Sequence, residues 1–464
     1  MHIEYIQNEF KIESIQPMDN IYRIEKPTNE NGPLNAVDLG SAMRTPEARR
    51  AFQEAQERYL PWQEFRKKSW VTQDKEKIWA LIHFTRRFSS MASPIKDKSG
   101  ESYRFDPNSH TEFLHRIDLE LGGQFMGISD FGEGDRRGII RRNLIEESIA
   151  SSKLEGANTS RDVAKRMLQE GRQPRDKYER MIVNNHAAMV RIESELKSEP
   201  LSLELLKDLH HEVTRGTLSD PAHEGALRET LDRKGQRLKI MPWDETTIAY
   251  VTPDKEFVEE QLAQLFKFAN EERATPFIHP LFKAIMLHFW IGLLHPFEDG
   301  NGRLARLLFY WFMLRKGYWA FSYLSLSERI LKSPKQYAMS FIYAEQDGFD
   351  LSYFIHYNVS KLKLARAQFD TYLKTKIAEN RQFIRIVESG YNLNARQLRL
   401  LHYLAKDEDR YSSVTAHHNI NPEIGYVTAA SDLKKLVDEG FLTKRKAGRN
   451  VIYRPAPKIR TLLK

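Results

Sequence analysis

The chain has 464 residues, 41% hydrophobic and 29% charged, a balance that fits two or three soluble globular domains with ample cores. Its longest apolar run falls short of the ~18–20 residues that span a bilayer, its N-terminus MHIEYIQNEF lacks a signal peptide's apolar core, and zero cysteines exclude disulfides and thiolate metal sites, a set that fits the reducing cytoplasm without membrane contact. The net charge is +8, and residues 390–464 supply an excess of 7 (14 Lys and Arg against 7 Asp and Glu), so a basic module on a near-neutral body points to a local polyanion contact, a solvated basic surface being the plain alternative.

Residues 1–110 mix Pro, Asn and aromatic residues and suggest no chemistry. Within them a helix is expected over Thr45–Leu60, broken at Pro61, and a loop over the turn-rich stretch Ser93–Asn108. From about Gly138 the periodicity becomes helical. Leu144–Gly156 predicts an amphipathic helix, within a span of 139–156, stopped by Gly156. Glu155 then stands at the negative end of that helix, unfavourable by about 0.3–1 kcal/mol unless a cation compensates. Ser151, one turn earlier, is placed to orient it. Further on, Thr230–Ile240 contains DRKG followed by QRLKI, which predicts a β-hairpin about as well as a surface loop.

Two runs, Pro280–Leu294 and Leu304–Leu314, are apolar on nearly every side and belong in the middle of a helical bundle. Between them lies a polar, glycine-bearing loop, His295-Pro-Phe-Glu-Asp-Gly-Asn-Gly-Arg303, and such a loop clamped between buried helices needs something to satisfy it. Gly300 and Gly302 allow positive φ and close approach of a ligand to the backbone. The amides of Gly300–Arg303 would converge at a positive helix end, a site for phosphate. Arg303 and Arg306, three apart on the first turn, can reach one phosphate chain with forked hydrogen bonds. Asp299 offers a hard oxygen for Mg²⁺, His295 is the proton acceptor near neutral pH, and Phe297 is assigned to packing. These parts suit attack by a hydroxyl on a metal-bound nucleotide phosphate.

A charged helical connector is expected over Lys361–Glu388 (361–389 as a segment). Beyond it, Asn394–Lys406 and Thr428–Glu439 read as helices, followed by Phe441–Lys446, a turn at Ala447-Gly448, and Arg449–Arg454. Residues 390–464 form a three-helix and hairpin pattern, and helices followed by a basic hairpin resemble a winged helix-turn-helix. On DNA, Thr428–Asp438 would be the recognition helix, with Lys444–Lys446 and Arg449 as a phosphate-contacting wing. Dimerisation or protein docking are the other uses of such a module.

HPFEDGNGRLAR (His295–Arg306) matches the motif H-x-F-x-[DE]-G-N-G-R-x-x-R, and on it the chain resembles the Fic family over about Gly138–Asn358, within a domain of 111–360. The resemblance implies a mainly α fold: a Fic-type helical bundle with a small β-hairpin flap, followed here by the C-terminal winged helix. It implies AMP transfer from Mg-ATP to a Ser, Thr or Tyr hydroxyl of a target protein, with ATP as substrate and Mg²⁺ as cofactor. By that similarity His295 is the general base and Asp299 the metal ligand. Gly300, Asn301, Gly302, Arg303, Leu304, Ala305 and Arg306 bind ATP, and Tyr337 is the nucleobase candidate, although Ser333 stands where many relatives have Asn. The intact Gly-Asn-Gly argues against the Doc-like phosphorylating branch. Gly225–Arg228 with residues 229–241 resembles the flap that grips the target's main chain by strand addition. Ser151-x-x-x-Glu155-Gly156 resembles the family's inhibitory motif, which implies that Glu155 pairs with Arg306 and denies the γ-phosphate its partner. The same Glu could instead position water to remove AMP, and the sequence leaves both directions open. A DNA-binding regulator with a nucleotide-sensing Fic domain is the rival reading, and a homodimer is left open.

Overall fold

The computed structural model describes residues 21–28, 43–69, 75–121, 133–232, 234–241, 247–272, 275–388, 392–404, 410–447 and 450–458. The first helix, α1 (Pro46–Arg58), begins where Thr45 accepts the Ala48 N–H at 3.1 Å, with Pro46 in the first turn. It stops at Arg58 because Tyr59 turns left-handed, and Pro61 then caps the one-turn α2 (Trp62–Phe65) ahead of α3 (Lys75–Ser89).

The expected loop at Ser93–Asn108 is corrected by the structure. Met91–Lys96 (β1) and Ser102–Phe105 (β2) pair antiparallel, with the register irregular between Ala92 and Lys96, on either side of Pro94. Turn-forming residues masked an alternation that buries Ile95, Tyr103 and Phe105 in the main core. The bundle therefore recruits chain from before residue 111.

α4 (Thr111–Leu121), α5 (Glu133–Leu154), α6 (Arg161–Glu170), α7 (Lys177–Ser194) and α8 (Leu203–Thr214) follow. A second hairpin is formed by Lys239–Ile240 (β3) and Tyr250–Val251 (β4). The hairpin expected inside Thr230–Ile240 is thus not a ladder. Asp232 accepts the Lys234 and Gln236 amides to make a turn, and the strand partner comes from ten residues downstream of Ile240. Then come α9 (Lys255–Asn270), α10 (Pro280–Leu294), α11 (Asn301–Arg315), α12 (Leu326–Leu331), α13 (Pro334–Gln346) and α14 (Ser352–Glu388). The connector at 361–389 is no separate element over its described residues: α14 runs unbroken to Glu388 and buries Phe369 and Leu373 in the bundle core.

α10 and α11 lie against each other at the centre, with α5, α7, α8, α9 and α14 around them. Leu281–Ile291 and Arg303–Leu314 are buried at every residue, as two helices without a polar face must be. The C-terminal module has its own core, built by α15 (Ala395–Leu404), α16 (Val414–Ile420), α17 (Tyr426–Asp438), β5 (Leu442–Ala447) and β6 (Asn450–Pro455). An isolated antiparallel bridge joins Ser412 to Tyr453 beside the two-stranded β5–β6 ladder. Helix α17 starts at Tyr426, not Thr428, and α16 before it completes the three-helix and hairpin pattern expected over 390–464. Gly448 and Arg449, expected at the hairpin turn, lie outside the described residues, as does Lys406. No helix among the described residues is long and apolar enough to cross a membrane.

Candidate active site

The His295–Arg303 loop is held by side chains drawn from three elements. α10 ends because His295 adopts φ 47°, ψ 57°, the left-handed conformation, while its N–H still bonds Ile291 O at 2.9 Å. The loop is closed across its middle by Asn301, whose Oδ1 accepts the Phe297 N–H at 3.0 Å and whose Nδ2 donates to Phe297 O at 2.8 Å. That side chain is spent on loop shape, so any hold on phosphate by Asn301 passes through its main chain. Gly300 sits at φ 86°, and a Cβ there would lie 2.7 Å from Thr214 Cγ2 of α8, so the turn admits no side chain. Phe297 is buried and stacks face to face on His210, ring centroids 3.7 Å apart.

His210, on α8, does more than stack. Its Nδ1 accepts the Gly225 N–H at 2.9 Å, so the proton is on Nε2, which donates to Asp299 O at 2.7 Å. Burial pushes its pKa down to about 4, and the ring stays neutral. His295 is half-buried, with Nδ1–H aimed at Gly292 O at 3.3 Å, which leaves the Nε2 lone pair free to accept a proton. Burial holds its pKa below the usual histidine value; the Gly292 carbonyl, Glu155 and Asp299 oppose that shift, and Arg228 adds to it.

The two arginines anchor to different helices. Arg303, fully buried, donates from Nη1 to Val213 O at 2.6 Å and lies 4.0 Å from Asp299 Oδ1. Its Nε and Nη2 find no hydrogen-bond partner among the described residues. Arg306 donates from Nε to Ser151 Oγ and from Nη2 to Ser151 O, each at 2.9 Å, and its Nη1 is likewise unpartnered. Buried guanidinium N–H groups left unpaired are costly, and they are what a polyanion would satisfy. Asp299, half-exposed, takes the Gly300 N–H on Oδ1 at 2.5 Å and keeps Oδ2 as a hard donor. The residues therefore fit a metal-bound triphosphate.

Glu155 already supplies one negative charge here. Its Oε1 accepts from Arg306 Nη2 at 2.9 Å, and a Cβ on Gly302 would fall 2.7 Å from its carboxylate carbon. The carboxylate thus lies over the first turn of α11, where helix amides lack intrahelical acceptors. The unfavourable end of α5 is offset by the favourable end of α11, each on the order of 0.3–1 kcal/mol. Ser151 contacts Arg306, through its hydroxyl oxygen and its carbonyl, and Glu155 is held by Arg306, which donates to both residues. Gly156, at φ 88°, ends the turn after α5. The helix is clamped by buried Glu147, which accepts from the hydroxyls of Ser325 and Ser327 and the Ser327 N–H, and by Glu146 with Arg161 and Lys165.

Leu304 and Ala305 are buried in the bundle, so only their main chain could meet a nucleotide. Tyr337 hydrogen-bonds His288 Nε2 through its hydroxyl at 2.7 Å, and its pKa is pushed up to about 12 by burial, with Arg306 opposing and Glu155 assisting. It lies within electrostatic reach of Arg306 and Glu155, with its ring against Phe341, Phe354 and Tyr357. Residues 229–241 precede and include β3, whose ladder partner is β4. Sequence reasoning missed His210, and it placed Arg228 in the flap without its hold on the loop, where the guanidinium reaches His295 O at 2.6 Å. A His on the apolar face of an amphipathic helix was the available signal for the first.

Residues 200–313 match the sequence model of the Fic/DOC family, a span that contains His295–Arg306 but not Glu155. Among curated proteins, protein adenylyltransferase fic-1 of Caenorhabditis briggsae is 30% identical over 146 residues, covering 29% of this chain and 26% of that protein. The Caenorhabditis elegans protein of the same name is 32% identical over 120 residues, 26% of this chain and 20% of its own length. The chain therefore spans about a quarter or less of those relatives. A solved Fic family protein from Desulfovibrio desulfuricans G20 aligns over 76% of this chain and 98% of its own, with TM-score 0.47 and 16% identity.

Proposed function

We propose, from the premise that residues 200–313 form a Fic/DOC-family domain, that the chain transfers AMP from Mg-ATP to a Ser, Thr or Tyr hydroxyl of a target protein and is held back by Glu155. The observation that carries this reading is the pair of buried guanidiniums with unpartnered N–H groups on the first turns of α11, just after the loop of a histidine whose Nε2 is free. The names of the curated relatives, protein adenylyltransferases, support the reaction class.

In the reaction, the target's hydroxyl oxygen bonds to the α-phosphorus of ATP as the bond to pyrophosphate breaks. The hydroxyl proton passes to His295 Nε2, and pyrophosphate departs with the bonding electrons. Arg303, Arg306 and the amides at the start of α11 hold the phosphates and stabilise charge that develops on them. Asp299 would hold Mg²⁺, which supplies further neutralisation of phosphate charge. Glu155 occupies part of this ground: while it pairs with Arg306, the distal phosphate lacks its partner. A water set by Glu155 for AMP removal is the reverse use of the same site.

The basic C-terminal module supports a second partner, duplex DNA. Val427, Thr428, Ser431 and Lys434 form an exposed face of α17, and Lys444, Arg445 and Lys446 are exposed on β5 beside it. A gel shift of the full chain at two salt concentrations tests this: Lys444→Ala with Lys446→Ala should weaken binding and flatten its salt dependence.

The transferase reading is tested with α-labelled ATP and Mg²⁺. Glu155→Gly should self-label strongly, wild type weakly, and His295→Ala not at all. A folded Glu155→Gly protein that stays unlabelled sinks the transferase; labelling that survives His295→Ala removes the base.

A further inference from the structure

We propose that Arg228 is a positioning residue that ties the end of the flap to the carbonyl of His295, so that a target seated on the flap sets the base. This rests on the AMP-transfer reading for its consequence, though not for its geometry.

A histidine in the left-handed region is strained and persists only where its surroundings hold it there. Arg228 is the main holder. Its N–H bonds Pro296 O at 2.9 Å, and its Nε donates to His295 O at 2.6 Å. From Nη2 it reaches Leu294 O at 3.3 Å and Pro253 O at 2.8 Å, and from Nη1 Glu229 O at 3.1 Å. Leu294 and His295 carry carbonyls at the end of α10 that no helical amide can satisfy, and a cation is the favourable partner at that end. Pro253 lies two residues past β4. Thr252, between them, donates its N–H to Leu238 O at 3.1 Å, so the Pro253 carbonyl moves with the β3–β4 hairpin. Two hydrogen bonds through one rigid fork therefore separate the hairpin from the backbone of His295. A lysine, with one nitrogen on a flexible stem, cannot bridge carbonyls that diverge in this way.

Arg228 is also a charge. The groups bearing on the His295 ring are the Gly292 carbonyl, Glu155 and Asp299, which favour its protonation, and Arg228, which disfavours it. Geometry and charge are thus separable by substitution.

The test uses the full chain carrying Glu155→Gly, with Arg228→Lys (charge kept, fork lost) and Arg228→Met (both lost). Arg228→Gln, which keeps one donor, serves if the Met variant does not fold. Two readouts are taken: self-labelling rate against ATP concentration, and an NMR titration of the His295 ring assigned with His295→Ala. Both variants should lose on the order of 10²-fold in maximal rate, as misplacement of a reacting group does. Half-saturating ATP should stay within about threefold, since the phosphate cradle is untouched. The ring pKa should rise with Met and hold with Lys. Unchanged maximal rates overturn the proposal, as does a loss confined to half-saturating ATP, or a ring pKa that moves equally in both. If Glu155→Gly itself fails to label, the transferase reading fails, and the NMR titration still decides whether Arg228 governs His295.

Discussion

Replacing Glu155 by Gly removes the carboxylate that pairs with Arg306, and the size of the effect can be worked from the contact. Glu155 Oε1 and Arg306 Nη2 are 2.9 Å apart, with the arginine side chain 3% exposed and the carboxylate 24% exposed. A charge-assisted hydrogen bond in such a setting contributes about 1.5–3 kcal/mol. If ATP must displace it, its loss should tighten ATP binding by roughly 10- to 150-fold, since each 1.4 kcal/mol is tenfold. Calorimetric titration of ATP with Mg²⁺ measures this directly. Glu155→Gln, which keeps the shape and removes the charge, should fall between wild type and Gly. Stability should move the other way: without ligand the Gly variant melts below wild type, because a buried guanidinium has lost a partner. At 100 times its Kd, ATP should return about 2.7 kcal/mol to the variant. Equal ATP affinities for Glu155→Gly and wild type, within twofold, would refute the brake.

Four further outcomes are expected. Burial depresses the His295 pKa, and the base works only when neutral; the Glu155→Gly rate should therefore hold through pH 7 and fall only as pH drops below the ordinary histidine value of ~6.5, so an acid limb above 7 contradicts the assignment. Gly300→Ala must hold φ 86° with a Cβ 2.7 Å from Thr214, at about 1–3 kcal/mol of strain; in the Glu155→Gly background ATP binding should vanish by calorimetry while far-UV circular dichroism is unchanged. His210→Phe keeps the stack on Phe297 and loses the bonds to Gly225 and Asp299, so the Mg²⁺ needed for half-maximal labelling should rise several-fold, about 1 kcal/mol in Asp299 placement. Asp432→Ala strips the carboxylate from Asn394, Arg396 and His417 at the centre of the C-terminal module; that module should lose about 3–5 kcal/mol and melt first, with ATP binding retained.

The legible parts of the sequence were those where one local rule acted alone. α10 and α11 are apolar all round, so their place at the centre followed from composition, and the loop between them was conspicuous for its polarity. The β1–β2 hairpin was misread because Pro94 and the Asp97–Gly100 turn look like a loop, and only tertiary burial of Ile95, Tyr103 and Phe105 reveals the strands. The flap's ladder was illegible for another reason: β3 pairs across a gap to Tyr250–Val251, and short strands specify such register weakly. His210 and Arg228 could not be found from spacing, because each acts on the loop from 67 or more residues away through backbone carbonyls. A carbonyl leaves no trace in the sequence of the residue that bears it.

That asymmetry bears on how the site is restrained. Arg303 and Arg306 present buried N–H groups that no described residue satisfies, so the protein's own side chains leave the cradle electrostatically incomplete. Glu155 answers that deficit only in part: it reaches Arg306 and the start of α11 and leaves Arg303 Nε and Nη2 open. A full replacement would bind too well to be displaced, and no replacement would leave a buried cation unpaired. One carboxylate, held at the end of a helix clamped through Glu146 and Glu147, lies between these limits. If Glu155 acts as the proposed brake, its strength is set by the clamp as much as by the ion pair. Loosening α5 at Glu147 should release it partially without touching any group that meets ATP.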